Sequence, residues 1–275
     1  MDVGKPPDEP RRRGLPITYG VVHEEQSAHG RRSVRAGSRQ LKTSELVAVD
    51  LVRDIGAAGL AVGDRLPDEA SMLSQYGVSR ESLREALRIL EVQGLITIHR
   101  GPGGGPKVAG VDPAYLARTS TLYFHLGGAT YDEVFETWST VEPAVAEKVA
   151  GLPDRARVRR ALEPFTEELP QDVDRNRFLT ITNGFHAELA ELSGNRVIAL
   201  LLQAISHIVV DHVMLDLDPV QARETIEHDH REIAAAIAAG RTQKARTLMA
   251  AHIANVTDIY RTRWPARMKE IVEWR

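Results

Sequence analysis

Three arginines, Arg80, Arg84 and Arg88, recur every four residues and therefore share one face of a predicted helix. Ser79 stands where the N-cap of that helix would lie, and Ser82 follows three residues later. Guanidinium and hydroxyl groups near a helix N-terminus are groups that bind DNA phosphates and base edges. The spacing therefore predicts a nucleic-acid contact. The alternative is a solvated helix face whose arginines pair with acidic residues of the same helix, Glu81, Glu85 and Glu91.

A glycine-rich stretch, Arg-Gly-Pro-Gly-Gly-Gly-Pro at residues 100–106, comes after this helix. Glycines lack side chains, so they let the backbone approach a phosphate or the floor of a groove. The stretch does not end in the lysine and serine or threonine of a nucleotide-binding P-loop. It therefore favours a loop that approaches DNA over a nucleotide site.

The elements that must position these groups form a helix-turn-helix followed by a short β-ribbon. Gly77 suits the tight turn between two helices, and Asp68 and Ser79 are residue types that begin helices. In such a unit, the second helix lies in the DNA major groove. We predict helices at residues 44–57, 68–76 and 79–94, and strands at residues 95–99 and 107–109.

The composition narrows the remaining classes of protein. The 275-residue chain is 43% hydrophobic, so it can bury a sizeable core. Its formal net charge is −3, so any binding to DNA must come from a local basic surface. The chain has no cysteine, which excludes disulfides and thiolate metal sites. No apolar run reaches the length of a membrane span, and we expect a cytoplasmic protein that does not bind membranes.

The first 42 residues are rich in proline and arginine and show no apolar periodicity. This composition predicts a flexible basic arm. The arm is a candidate for contacts to phosphate or to the minor groove, and a solvated tail is the alternative.

Several motifs in residues 44–108 resemble the winged helix of GntR-family bacterial transcription regulators. In chain order, they are Arg65-Leu66-Pro67-x-Glu69, Tyr76-Gly77-Val78-Ser79-Arg80, Leu83-Arg84-Glu85-Ala86-Leu87 and Gly94-Leu95-Ile96. The resemblance implies a set of operator contacts, to which Ser82 in the same first turn is added: Ser79, Arg80, Ser82, Arg84, Arg100 and Gly101. The family often has an arginine where this chain has Ala70. That contact is therefore missing or supplied elsewhere, and the basic arm is the candidate.

Beyond residue 111 the pattern is helical almost throughout, which predicts a fold that is mainly α, with an antiparallel bundle after the winged helix. We assign residues 1–42 to the arm, 43–110 to the DNA-binding domain, 111–261 to an effector and dimerisation domain, and 262–275 to a tail. The predicted helices of the bundle are at 113–125, 131–150, 154–168, 173–192, 196–215, 219–239 and 241–260, followed by a short tail helix.

Parts of this bundle resemble the FCD effector domain of the FadR-like branch of the family. The matching pieces are Phe185-His186-x-x-Leu189 before Ser193-Gly194-Asn195, His230-x-x-Ile233 with Ala236-Ile237 and Gly240, and Met249-x-x-His252. The resemblance implies that His186, His230 and His252 bind a divalent metal such as zinc, which helps to hold a carboxylate effector. Without that resemblance, a histidine facing a bundle core is more often a hydrogen-bonded core residue than a metal ligand.

The chain departs from the family pattern at two positions of this site. The acidic ligand expected four residues before His186 is Thr182, with Asn183 beside it, which should weaken metal binding. The arginine expected four residues before Glu142 is Trp138, which offers apolar area and a single N–H donor. We assign these four residues and the three histidines to the effector pocket. The departures favour a larger, more apolar ligand of the organic acid or fatty acyl type.

The sequence thus predicts a ligand-responsive repressor that binds a palindromic DNA operator as a homodimer. Two alternatives remain. One is a metal-dependent hydrolase built on the histidines, with Glu188 or Glu191 as its base. The other is a constitutive DNA-binding protein whose pocket is vestigial.

Overall fold

The computed structural model describes residues 41–101, 103–170, 172–212 and 222–275. These residues form two compact units, one ending at Asp112 and the other beginning at Pro113. Nearly all of the predicted arm, Pro102 of the glycine-rich loop and the predicted helix ends at 213–215 and 219–221 lie outside the described residues.

The first unit begins with three helices: α1 (Thr43–Ala57), α2 (Glu69–Tyr76) and α3 (Arg80–Val92). The Asp68 side chain caps α2 by accepting from the backbone N–H of Ser71, and Ser79 caps α3 by accepting from that of Ser82. Gly77 joins α2 to α3 at φ 62°, a left-handed conformation that suits glycine. The predicted caps and turn are therefore present.

A two-stranded antiparallel ribbon completes this unit, formed by β1 (Ile96–His99) and β2 (Gly105–Val108). Strand β2 begins two residues before its predicted start because Gly105 and Pro106 pair with His99 and Ile98. Arg65 forms an isolated antiparallel bridge with Lys107 on the other side of β2. The buried core of the unit draws on all three helices and β1, and its most enclosed side chains are Leu51, Met72, Leu83, Leu90 and Ile96.

The second unit is helical. Its helices are α4 (Pro113–Gly127), α5 (Tyr131–Ala150), α6 (Arg155–Leu162), α7 (Arg175–Leu192), α8 (Arg196–His212), α9 (Arg223–Ala238), α10 (Thr242–Arg263) and α11 (Pro265–Lys269). Helix α6 is shorter than the predicted 154–168 helix, and a 3₁₀ turn (Glu163–Phe165) follows it. Pro164 has no N–H for a helical hydrogen bond, which accounts for the early end.

The tail is packed into the second unit. Met268 and Val272 are buried in its core, and Ile271 forms an isolated bridge with Thr130. The Arg267 guanidinium stacks 4.8 Å from the centre of the Tyr131 ring and donates to Glu270 and Glu273. The tail thus fastens the start of α5. Across the described ranges, no helix pairs enough length with enough hydropathy to span a lipid bilayer.

Candidate nucleic-acid interface and metal centre

The N-terminus of α3 presents a cluster of donors and hydroxyls on the surface. The Ser79 Oγ lies 3.2 Å from the backbone nitrogen of Ser82 and 3.1 Å from its Oγ. Leu83 and Leu90 anchor the opposite face of α3 in the core. The basic face predicted for this helix is therefore exposed, and the apolar face opposite it is buried.

Arg80 and Arg84 of α3 turn toward α2. Arg80 Nη1 and Arg84 Nη2 lie 3.4 and 3.5 Å from Oε1 of Glu69. The acidic residues of α3 proposed as partners do not pair with them, and Glu91 accepts from the backbone N–H of Ile98 instead. The pairs with Glu69 are long and their arginines well exposed, so they stabilise the fold little. Both guanidinium groups therefore remain available to phosphate.

The loop between β1 and β2 depends on glycine. Arg100 is exposed, and Gly101 has a φ of 103°, outside the range of most L-residues. A Cβ at Gly104 would overlap the carbonyl oxygen of His99, so no larger residue fits there. The predicted loop contacts, Arg100 and Gly101, thus lie at the exposed end of the ribbon.

Arg65 is a basic residue of this surface. The sequence placed it in a family motif but did not identify it as a DNA contact. It lies in the same groove as Arg84, Gly104 and Glu69, and its Nη2 lies 3.9 Å from the position of a Cβ at Gly103. Ala70 is exposed on α2. The signal for Arg65 was its place at the start of the Arg65-Leu66-Pro67 motif, where its bridge to Lys107 aligns it with the ribbon.

The three histidines come together inside the second unit, from α7, α9 and α10. Each offers a ring nitrogen, and these atoms lie within 4.8 Å of one another. The Nε2 atoms of His230 and His252 are 3.1 Å apart, and the ring centres of His186 and His230 are 5.0 Å apart. All three side chains are buried. Helices far apart in the chain therefore supply one compact imidazole cluster.

Two carboxylates fix the orientation of two of these rings. His186 Nδ1 lies 2.7 Å from Oε2 of Glu142, and His252 Nδ1 lies 3.1 Å from Oδ2 of Asp229. An ionised carboxylate only accepts, so each Nδ1 carries a proton, and Nε2 is the nitrogen that has the lone pair when the ring is neutral. Trp138 Nε1 donates to the other oxygen of Glu142 at 3.0 Å. Sequence reasoning missed Asp229, although it is the neighbour of His230.

Burial governs the protonation of the cluster. Burial raises the pKa of Glu142, but the His186 charge and the hydrogen bonds from His186 and Trp138 outweigh it, so this pKa lies below its usual value. Desolvation lowers the pKa of His230, and His252 and His186 lower it further. Burial also lowers the pKa of His252, against the hydrogen bond to Asp229. At His230 and His252, burial thus favours the neutral imidazole, the form that binds metal ions.

A small cavity of about 10 Å³ lies beside the cluster, with room for roughly one water molecule. Of the residues assigned to the effector pocket, Trp138, Thr182, Asn183, His186 and His252 line it. The others do not: Glu142 lies behind His186, and His230 faces a different cavity. Ser206 adds a hydroxyl, and the apolar part of the wall is Val209, Val210, Ile226 and Val256. Among the described residues, this lining holds no lysine or arginine.

The donor set fits a divalent metal. Two nitrogens bound to one tetrahedral zinc lie about 3.3 Å apart, close to the 3.1 Å between the Nε2 atoms of His230 and His252. Metal-binding histidines generally donate their second N–H to a carboxylate or carbonyl, as His186 and His252 do here. Three imidazoles would leave a coordination position open to an exogenous ligand.

Comparison with known proteins assigns both units. Residues 43–104 match the family of bacterial regulatory proteins described as the gntR family, and residues 133–255 match the FCD domain. The chain thus carries a GntR-type DNA-binding domain followed by an FCD domain. It is a DNA-binding transcription regulator that combines a winged helix with an FCD effector-binding domain.

Similar regulators occur in several bacteria. The HTH-type transcriptional repressor NanR of Cronobacter sakazakii is 27% identical over 208 residues, which cover 74% of this chain and 77% of that protein. The Uxu operon regulator of Haemophilus influenzae is 27% identical over 218 residues, covering 75% of this chain and 77% of that protein. A GntR structure from Streptococcus agalactiae has a TM-score of 0.62 at 24% identity, and covers 78% of this chain and 99% of that one, which supports the fold alone. These similarities favour a regulator over the hydrolase alternative.

Proposed function

We propose that this regulator binds a palindromic operator as a homodimer and that a small organic acid, held with a divalent metal in the FCD domain, changes its affinity for DNA. The metal would be held by His186, His230 and His252. The observation that carries the proposal is the pair of carboxylate–histidine hydrogen bonds, Glu142–His186 and Asp229–His252, which direct two Nε2 lone pairs into the cluster.

An anionic ligand in this cavity would depend on the metal for its opposite charge. The described lining carries no cationic side chain, so a bound divalent metal would supply the positive charge that holds a carboxylate. The hydroxyls of Thr182 and Ser206 and the amide of Asn183 are suitable donors for its remaining oxygens. Drug-sized ligands occupy pockets of several hundred Å³, so a fatty acyl chain would require the bundle to open much further than a short acid.

The DNA-binding part of the proposal rests on the exposed groups of the winged helix. We assign operator contacts to Ser79, Arg80, Ser82, Arg84, Arg100 and Gly101, and add Arg65, which lies in the same groove as Arg84. Repression follows the relatives that are named repressors. A cytoplasmic location follows from the match to a family of bacterial DNA-binding regulators. Two winged helices related by a twofold axis would read two half-sites.

Native mass spectrometry of freshly purified full-length protein tests the proposal. We expect a dimer that carries one divalent metal per chain and a small bound acid. Gel-shift titrations on a DNA duplex selected from random sequence would then show weaker binding once the identified acid is added back. A metal-free protein whose DNA affinity responds to no bound small molecule would contradict the sensing function and leave the DNA-binding function intact.

A further inference from the structure

A second small cavity lies on the other side of Thr182 from the effector pocket. It measures about 20 Å³, and Thr182, His230 and Arg231 are among its lining residues. Thr182 lines both cavities, and its side chain, 6% exposed, makes no hydrogen bond to the described residues. Thr182 is thus the residue that the described linings of the two cavities share, and its hydroxyl has no hydrogen-bond partner among the described residues.

The outer wall of this second cavity is formed partly by residues 163–170, which we call the flap. The flap consists of the 3₁₀ turn Glu163–Phe165 and a segment with no regular secondary structure. Two arginines of α9 hold it: Arg231 Nη1 donates to Glu168 at 2.7 Å, and Arg223 Nη2 donates to the carbonyl of Pro170 at 2.6 Å. Ring contacts connect the flap to the cluster, because Phe165 lies against Phe185, which stacks on His230 with ring centres 4.2 Å apart.

The flap is more weakly held than the helices around it. The Glu168 side chain is 78% exposed and that of Arg231 is 31% exposed, and ion pairs in such positions contribute little to stability. Arg223 is a firmer anchor, since it is 15% exposed and also pairs with Glu227 at 2.7 Å. Segments held by few buried contacts open locally without unfolding of the whole domain.

The acidic residues of the flap would favour the passage of cations into the second cavity. The flap carries Glu163, Glu167 and Glu168 and no basic residue. Arg231 pairs with Glu168, and Arg223 pairs with Glu227 on the facing wall of the cavity, so the exposed carboxylates without an ion pair within the described residues are those of Glu163 and Glu167. Exposed carboxylates raise the local concentration of cations. The described lining of the effector pocket, in contrast, contains no carboxylate.

We propose that the flap is the gate through which the histidine cluster exchanges a divalent cation, and that the Glu168–Arg231 ion pair is its latch. The inference rests on the metal binding proposed above. Opening the flap carries Phe165 away from Phe185 and joins the second cavity to solvent. A cation then passes the Thr182 hydroxyl and reaches the Nε2 atoms of the cluster.

Alkylation of a single thiol tests the gate without any metal. The natural chain has no cysteine, so Thr182→Cys places one thiol between the two cavities. In the presence of EDTA, iodoacetamide should react slowly with it, its rate limited by the open fraction of the flap. Glu168→Gln should raise the rate about two- to fivefold, as expected for an exposed ion pair, and Arg223→Gln should raise it further. Glu147→Gln is the matched control, because it breaks a similar ion pair to Arg246, 2.6 Å long, elsewhere in the bundle.

Zinc exchange by full-length protein with the native Thr182 tests whether a divalent cation passes the flap. Glu168→Gln should raise the rates of zinc uptake and of zinc release to a chromogenic chelator by the same factor and leave the dissociation constant unchanged. Equal alkylation rates in the flap variants and the Glu147→Gln control would overturn the gate. A changed dissociation constant with unchanged rates would also overturn it. If the unaltered chain bound no zinc, the passage of a cation and the metal in the proposed function would both be contradicted. The alkylation rates would still decide whether the flap opens.

Discussion

Arg80 and Arg84 of the winged helix have 71% and 69% of their side chains exposed, whereas His186, His230 and His252 of the bundle are between 1% and 6% exposed. The arginines lie 3.4 and 3.5 Å from one shared carboxylate. His186 and His252 each have a carboxylate of their own. The binding groups of the winged helix are therefore solvated and loosely paired, whereas those of the bundle are buried and held in a fixed orientation.

The difference has a physical consequence. Exposed guanidinium groups exchange water and a weak partner for phosphate with little reorganisation, so the DNA-binding surface tolerates variation in its neighbours. A buried imidazole must have its tautomer fixed before a metal arrives, and removing the group that fixes it leaves a desolvated polar atom. Substitutions should therefore change the affinity for the ligand more in the bundle than in the winged helix.

The largest effect is expected from His230→Ala. Loss of one of three imidazoles should weaken zinc binding by more than about a hundredfold, a larger loss than is typical of groups behind a ligand. His228→Ala, on the exposed side of the same helix, is the control. Competition with a chelator measures both affinities, and equal values for the two variants would show that the cluster is an ordinary hydrogen-bonded core.

A smaller effect is expected when an orienting carboxylate is neutralised. Asp229→Asn and Glu142→Gln should each weaken zinc binding about 10- to 100-fold, because an amide no longer fixes the histidine tautomer. Glu232→Gln, in an exposed pair with Lys244, should change nothing. Full zinc affinity in both test variants would remove the argument for preorganisation.

In the winged helix, Arg84→Ala should weaken binding to the selected operator about tenfold and reduce the slope of log affinity against log salt by about one. The physical reason is the loss of one phosphate contact and the counterions that it releases. Arg246→Ala, in the bundle, serves as the comparison. A salt titration by fluorescence anisotropy measures both quantities, and an unaltered slope would refute the contact.

The smallest effect is expected from Glu69→Gln, which frees Arg80 and Arg84. Affinity for random-sequence DNA should rise about two- to threefold, in keeping with the modest strength of exposed ion pairs. Glu85→Gln makes the same charge change without breaking a pair within the described residues, so the ratio of the two affinities isolates the pairing. A ratio of one would mean that Glu69 does not restrain the arginines.

Local patterns predicted much of the fold. The bounds of α5 agree with the prediction, and the N-caps Asp68 and Ser79 hold the backbone donors expected of them. The error at α6 also has a local cause. The prediction followed the apolar spacing beyond Pro164, whereas the helix ends at Leu162. The tail was assigned no role because its contacts are with residues far away in the chain, such as the hydrogen bond from the Glu273 backbone N–H to the Tyr131 hydroxyl, 142 positions apart.

The candidate site was predicted less evenly. Spacing along one helix placed the arginines, but it did not identify Glu69, which approaches them from α2. The resemblance to FCD domains supplied the three histidines. It did not supply Asp229 as the partner of His252, and it placed Glu142 in the pocket rather than behind His186. Partners that come from a different helix leave no spacing signal in the sequence.

The sequence by itself determined the amphipathic face of α3, its caps and its glycine turn, because helical periodicity and backbone conformation depend on neighbours within a few residues. The tertiary structure alone decided which carboxylate meets which histidine, since Glu142 and His186 are 44 residues apart and the 2.7 Å between them exists only when α5 packs against α7. It also decided that Thr182 lines two cavities and that residues of the flap line one of them. Packing among distant helices, through burial and the exclusion of water, turns separate polar residues into a site.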